Sequence, residues 1–84
     1  MFEIKYRKSV EKDLRLLPSP IRKALISKII LLAEEPLPVG AVKLQGATNL
    51  YRIRKGDYRI LYEINNQEVV VIIIKVGHRR DVYR

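Results

Sequence analysis

The sequence predicts a small α+β protein: a four-stranded, mainly antiparallel sheet with a helical hairpin on one face, in the order β-α-α-β-β-β. Three observations predict it. The apolar residues repeat with a period near two at the start of the chain and again after residue 50, but with a helical period between residues 9 and 35. Pro18, Pro20, Pro36 and Pro38 punctuate the helical region. No internal repeat, low-complexity segment or linker divides the 84 residues, so residues 1–84 are expected to form one domain.

The elements follow in order. In "MFEIKY", Phe2, Ile4 and Tyr6 alternate with Glu3 and Lys5, the pattern of a half-buried strand. In "SVEKDLRLLP", Val10, Leu14 and Leu17 fall on one face of a helix; Ser9 suits its N-cap, and Pro18 ends it. A second helix starts at "SP", with Ser19 as cap and Pro20 at the first helical position, where its missing N–H costs nothing. Ile21, Ala24, Leu25, Lys28, Ile29 and Leu32 form its core stripe, which Ile26, Ile30 and Leu31 widen. The very short link between the helices predicts an antiparallel hairpin. "LPVGAVKLQGATN" reads as a loop. "LYRIR", "YRILYEI" and "EVVVIIIKV" read as strands, joined at "KGD" and at Asn65-Asn66, a pair suited to a two-residue hairpin turn. The last strand is apolar at every position from 69 to 74, which predicts a central strand with its second face covered by a partner or substrate.

Composition narrows the function. The net charge is +8, which favours a polyanionic partner. Cysteine is absent and His78 is the single histidine, so no disulfide, cysteine-zinc or histidine-rich metal site is expected, and no cofactor. No apolar stretch reaches the roughly 18 residues of a membrane span, and "MFEIKYRKS" lacks a signal-peptide core. A cytoplasmic protein without a membrane partner is expected.

Strand pairing gathers the charge. If "KGDY" turns the chain so that Arg54 lies opposite Arg59, then Arg52 lies opposite Leu61 and Ile53 opposite Ile60. Cross-strand partners share a face. Arg52, Arg54 and Arg59 then point away from the helices, where their mutual repulsion contributes nothing to stability; an anion site accounts for them. The end of "IIIKVG" should return beside Tyr58 and Arg59, so that "HRRDVYR", residues 78–84, bends at Gly77 into a second wall of the same site. His78 has the ionisation range for acid–base work. Tyr83 could stack on a base or donate a proton. Lys43, Lys55, Arg80 and Arg84 are candidates for RNA contact.

Arginines, a tyrosine and a histidine suit phosphate chemistry. In RNA the 2′-oxygen can attack the adjacent phosphorus, and the protein then needs to align the strand, stabilise the phosphorane oxygens and move protons. The residues alone point to a small RNA- or DNA-binding domain whose side chains suit nuclease chemistry.

The frame "VKLQG…LYRIRKGDYRILYEI…EVVVIIIKVGHRRDVY" resembles the RelE/ParE superfamily of bacterial and archaeal toxins over nearly the whole chain. The resemblance implies the RelE-like microbial RNase fold and a type II toxin, held inactive by a cognate antitoxin that wraps the sheet. It implies cleavage of mRNA in the ribosomal A site and, through the antitoxin, contact with operator DNA. Arg52 and Arg54 match positions where some members carry catalytic lysines. Arg59 matches the arginine on the scissile phosphate. Arg79 matches the one that stabilises the leaving group or transition state, and Tyr83 the C-terminal tyrosine. His78 occupies a position that is basic in relatives. Arginine at 52 and 54 keeps the charge but removes a plausible general base, since guanidinium does not deprotonate near neutrality; His78 is the candidate to replace it. No further helix is expected after Tyr83. The alternatives are a ParE-like inhibitor of DNA gyrase and a non-catalytic basic module that acts with an antitoxin on operator DNA.

Overall fold

The structure is a computed structural model that describes residues 1–78. Its elements are β1 (Glu3–Tyr6), α1 (Lys8–Leu16), α2 (Ser19–Leu31), β2 (Val42–Lys43), β3 (Leu50–Lys55), β4 (Tyr58–Asn65) and β5 (Val70–His78). They build one sheet in the order β1-β5-β4-β3-β2, antiparallel except for the parallel pair of β1 and β5. The sequence-level α+β class and element order hold. The fifth strand is the two-residue β2, within what reads as a loop: Val42 pairs with Arg52 and Lys43 with Tyr51.

Local chemistry sets the helix starts. Arg7 closes β1 by donating its N–H to the Ile73 carbonyl, while its own carbonyl accepts from Val10 and Glu11. The chain thus passes from strand to helix at Arg7, and Ser9, expected as the cap, lies inside α1. At α2 the cap is Pro18, one residue before the expected Ser19, and Pro20 lies in the first turn, where no N–H is needed.

The core lies between the helices and one face of the sheet. Val10 and Leu14 of α1, with Leu25, Ile29 and the following Leu32 from the α2 region, meet Ile53, Ile60, Tyr62, Ile64, Val71, Ile73 and Val76. The helix stripe read from the sequence is thereby buried at Leu25, Ile29 and Leu32, whereas Ile30 and Leu31 are exposed. β5 is internal to the sheet, between β1 and β4. On the sheet face away from the helices, Leu50, Leu61 and Ile72 are half-buried.

Two turns differ from the sequence reading. The β3–β4 ladder continues to Lys55 opposite Tyr58, so its loop is Gly56 and Asp57, with Gly56 at φ +60° as a tight primed turn requires. The β4–β5 loop is wider than the expected two residues and spans 66–69, because Asn65 pairs with Val70 and its Oδ1 accepts the Glu68 N–H at 3.0 Å. Val69 then adopts φ 58°, a strained conformation for a β-branched residue, and its carbonyl accepts the Glu3 N–H.

Tyr62 ties the sheet to the segment after α2. It is fully buried, and its hydroxyl donates to the Pro36 carbonyl at 2.6 Å. Burial, with a smaller contribution from Tyr51, pushes its pKa up to about 12. The folded state therefore favours the neutral phenol. The associated stability is complete below pH 10 and is lost as pH rises from about 10 through 12. Tyr62→Phe should cost about 1–2 kcal/mol at pH 8, by removing the donor to Pro36. Urea unfolding at pH 8 and pH 11 should show that gap narrowing at the higher pH, as only the wild type carries this phenol. An unchanged gap would contradict the assignment.

Candidate functional site

The site is built by the β3–β4 hairpin and the end of β5. Arg54 pairs with Arg59, Arg52 with Leu61 and Ile53 with Ile60, the register expected from the sequence. The isoleucines are buried under the helices, so the three arginines share the opposite, open face. Paired Cβ atoms lie about 5 Å apart and diagonal neighbours about 7–8 Å, so three guanidinium stems rise from one small patch. Arg52 and Arg59 are half-buried and their Nε atoms are inaccessible to solvent, which fixes their stems against the sheet, while Arg54 is exposed.

β5 completes the patch in a way that simple alternation conceals. Tyr62 pairs with Ile73 and Leu61 with Lys75, which leaves Ile74 as the extra residue of a β-bulge. Before the bulge Val71 and Ile73 face the helices; strict alternation would send Lys75 into the core and Val76 outward. The bulge reverses this. Val76 is buried, and Lys75 joins the face of Leu61 and Arg52. Gly77 lies opposite Arg59, so β5 itself places no side chain beside that arginine. Two rows result on the open face: Gly77, Arg59 and Arg54, then Lys75, Leu61 and Arg52. The next row holds Lys5, Ile72, Glu63 and Leu50, with Glu63 diagonal to Arg52. Neither Lys75 nor Glu63 was singled out from the sequence, because only the bulge and the ladder register reveal their face.

The same bulge moves His78. It pairs with Tyr58, its ring 5.7 Å from the tyrosine ring in an edge-on contact, on the helix side of the sheet. His78 was expected beside the arginines as their proton-transfer partner; instead it lines a recess with Tyr58, Val76, Gly77, Lys75 and, from α1, Asp13. The strand also runs through Gly77 to His78 without the expected bend. Lys43, by its pairing with Tyr51, and Lys55, by its pairing with Tyr58, likewise register with the helix-facing residues and not with the arginines. Lys55 borders a recess with Pro20, Ile21 and Ala24 of α2. Arg79, Arg80, Tyr83 and Arg84 lie outside the described residues. Among the described residues no cluster of three or more histidine, cysteine or carboxylate side chains could hold a metal ion, and no helix is long and apolar enough to cross a membrane.

A tight, solvent-facing group of guanidiniums beside a side-chain-free position can grip a phosphate by forked hydrogen bonds. Comparison with known proteins places the chain in a family. The family model for the ParE toxin of type II toxin-antitoxin systems matches residues 4–83. Toxin RelG of Mycobacterium tuberculosis is 32% identical over 84 residues, covering 99% of this chain and 97% of that protein. The mRNA interferase toxin RelE of Escherichia coli is 37% identical over 70 residues, 81% of this chain and 73% of that protein. The crystal structure of isolated E. coli RelE superposes with a TM-score of 0.83 at 30% identity, over 99% of this chain and 92% of that one. RelE in the archaeal RelE-RelB complex from Pyrococcus horikoshii gives 0.83 at 32% identity, over 96% and 98%. The chain belongs to the ParE toxin family of type II toxin-antitoxin systems, within the RelE/ParE superfamily.

Proposed function

We propose that this toxin is a ribosome-dependent endoribonuclease that cuts mRNA and so inhibits translation in the cytoplasm. The observation that carries the reading is the grouping of Arg52, Arg54 and Arg59 on the open face, with Gly77 leaving room beside Arg59. The likeness to proteins named mRNA interferase supports the same reading. In the reaction the RNA 2′-oxygen bonds to the adjacent phosphorus and the bond from phosphorus to the 5′-oxygen breaks. The products are a 2′,3′-cyclic phosphate and a 5′-hydroxyl. Arg59 and Arg54, in the row open at Gly77, hold the non-bridging oxygens, and the charge they carry grows in value as the phosphorane forms. Arg52 adds charge from the adjoining row. Arg79 and Tyr83 enter through the family resemblance, at the leaving oxygen and on a flanking base.

A cognate antitoxin is the inhibitor in this proposal, and similar toxins have been solved in complex with RelB antitoxins. Leu50, Leu61 and Ile72 give such a chain an apolar strip beside the arginines, and operator DNA would be reached through the antitoxin. The test is to add purified protein to translating ribosomes and map the new RNA ends. Cleavage with cyclic-phosphate ends, blocked by a single 2′-deoxy substitution at the cut, supports the proposal. Intact mRNA together with trapped gyrase–DNA complexes would replace it with the gyrase-inhibitor reading that the ParE name of the family favours.

A further inference from the structure

We infer that Lys75 is the general acid of this site, the group that protonates the leaving 5′-oxygen. The inference rests on the endoribonuclease reading and assigns a residue to a step that the arginines cannot perform. A guanidinium stabilises charge but holds its protons too tightly to transfer one, whereas an ammonium can give one up. Among the described residues, Lys75 is the one ammonium in the two rows that hold Arg52, Arg54 and Arg59. Lys43 and Lys55 register on the helix side, and Lys5 lies a row further on, with Ile72 and Glu63.

Its position follows from the bulge. Ile74 is the extra residue, so by register Lys75 shares the face of Leu61, diagonal to Arg59 at about 7–8 Å between backbones, and at the edge of the sheet it also borders the recess of Asp13 and His78. Gly77 is its neighbour on the same face and places no side chain between Lys75 and the space beside Arg59. The pairing of β1 with β5 ends at Ile73, so among the described residues no strand pairs with β5 on that side at Lys75, which is half-buried. Keeping lysine out of the core explains the bulge. It does not by itself call for an ammonium in the row of Arg52, with Glu63 the acidic residue one row on. A phosphodiester bound on this face adds a second anionic partner and gives the ammonium a proton acceptor.

The step balances. As the 2′-oxygen bonds to phosphorus, its proton passes to water. The electron pair of the breaking bond stays on the 5′-oxygen, which takes a proton from Lys75 Nζ and leaves as a hydroxyl. Water then reprotonates the amine.

The test compares two mRNAs on programmed ribosomes, one natural and one with sulfur replacing the bridging 5′-oxygen at the cut. Sulfur leaves as a thiolate and needs no acid. Lys75→Arg keeps the charge and should cleave the natural RNA about 100-fold or more slowly than wild type, yet cleave the sulfur RNA within a few-fold of it. Lys75→Gln should lose more than Lys75→Arg on the sulfur RNA, because the charge is gone as well. Equal losses of Lys75→Arg on both RNAs, or no loss on either, would overturn the assignment. If wild type cleaves neither RNA, the endoribonuclease reading itself fails and this assignment falls with it; wild-type cleavage with an unaffected Lys75→Arg removes only the role of Lys75.

Discussion

Arg59→Ala should slow cleavage of ribosome-bound RNA by about 10²–10³-fold, the usual loss when one preorganised donor to a developing oxyanion is removed. Arg59 sits at the centre of the patch: Arg54 is its cross-strand partner on one side and Gly77 on the other, while Arg52 and Lys75 are its diagonal neighbours. A phosphate seated on this face meets Arg59 wherever else it reaches. Arg59→Lys separates charge from geometry. It retains a cation but loses the fork, and should recover only part of the loss. Both variants should bind the ribosome less weakly than they cleave, since the missing interaction grows as the phosphorane forms. Single-turnover rates at saturating ribosome separate the two. Full activity in Arg59→Ala would remove this face from the chemistry. The fold provides a control: Ile60, next in sequence, is buried on the other face, so melting curves report separately on the core.

The arginine face was legible in the sequence because two independent constraints fix it. The turn at Gly56 and the alternation of Tyr51, Ile53, Ile60 and Tyr62 both demand the same register, and a slip by one residue would bury arginines. The end of β5 was not legible, for an equally physical reason. Its run from 69 to 74 is apolar throughout, so no alternation marks which face each residue takes. The turn before it is wider than Asn65-Asn66 suggests, and the bulge at Ile74 inverts every later position. Lys75 and His78 therefore exchange faces relative to unbroken alternation. The weak signal was present in "IIIKVG": a strand that keeps Ile73 and Val76 both buried needs one extra residue between them. β2 escaped notice because two residues are too few to show any period.

Gly77→Val should produce a protein that is no less stable than the wild type and yet cleaves RNA about 10–100-fold more slowly, in the range of losses that misplacing a substrate by about 1 Å incurs. Gly77 lies within a strand, where glycine is the less favourable residue by roughly 0.5–1 kcal/mol. Its place in the paired ladder of β5 is extended backbone, which a β-branched residue fits. Strand propensity therefore does not favour glycine here, whereas the open face does. Gly77 is the cross-strand neighbour of Arg59 and shares the face of Lys75, so a valine side chain would stand where the phosphate must enter between them. The two measurements move in opposite directions: the melting temperature holds or rises while the cleavage rate falls. A merely destabilised variant would lose both together, and a variant with undiminished cleavage would mean that the space beside Arg59 is not where the phosphate binds. Gly77→Ala, with a single methyl, should fall between the two, which ties the loss to the volume placed on that face and not to the loss of glycine.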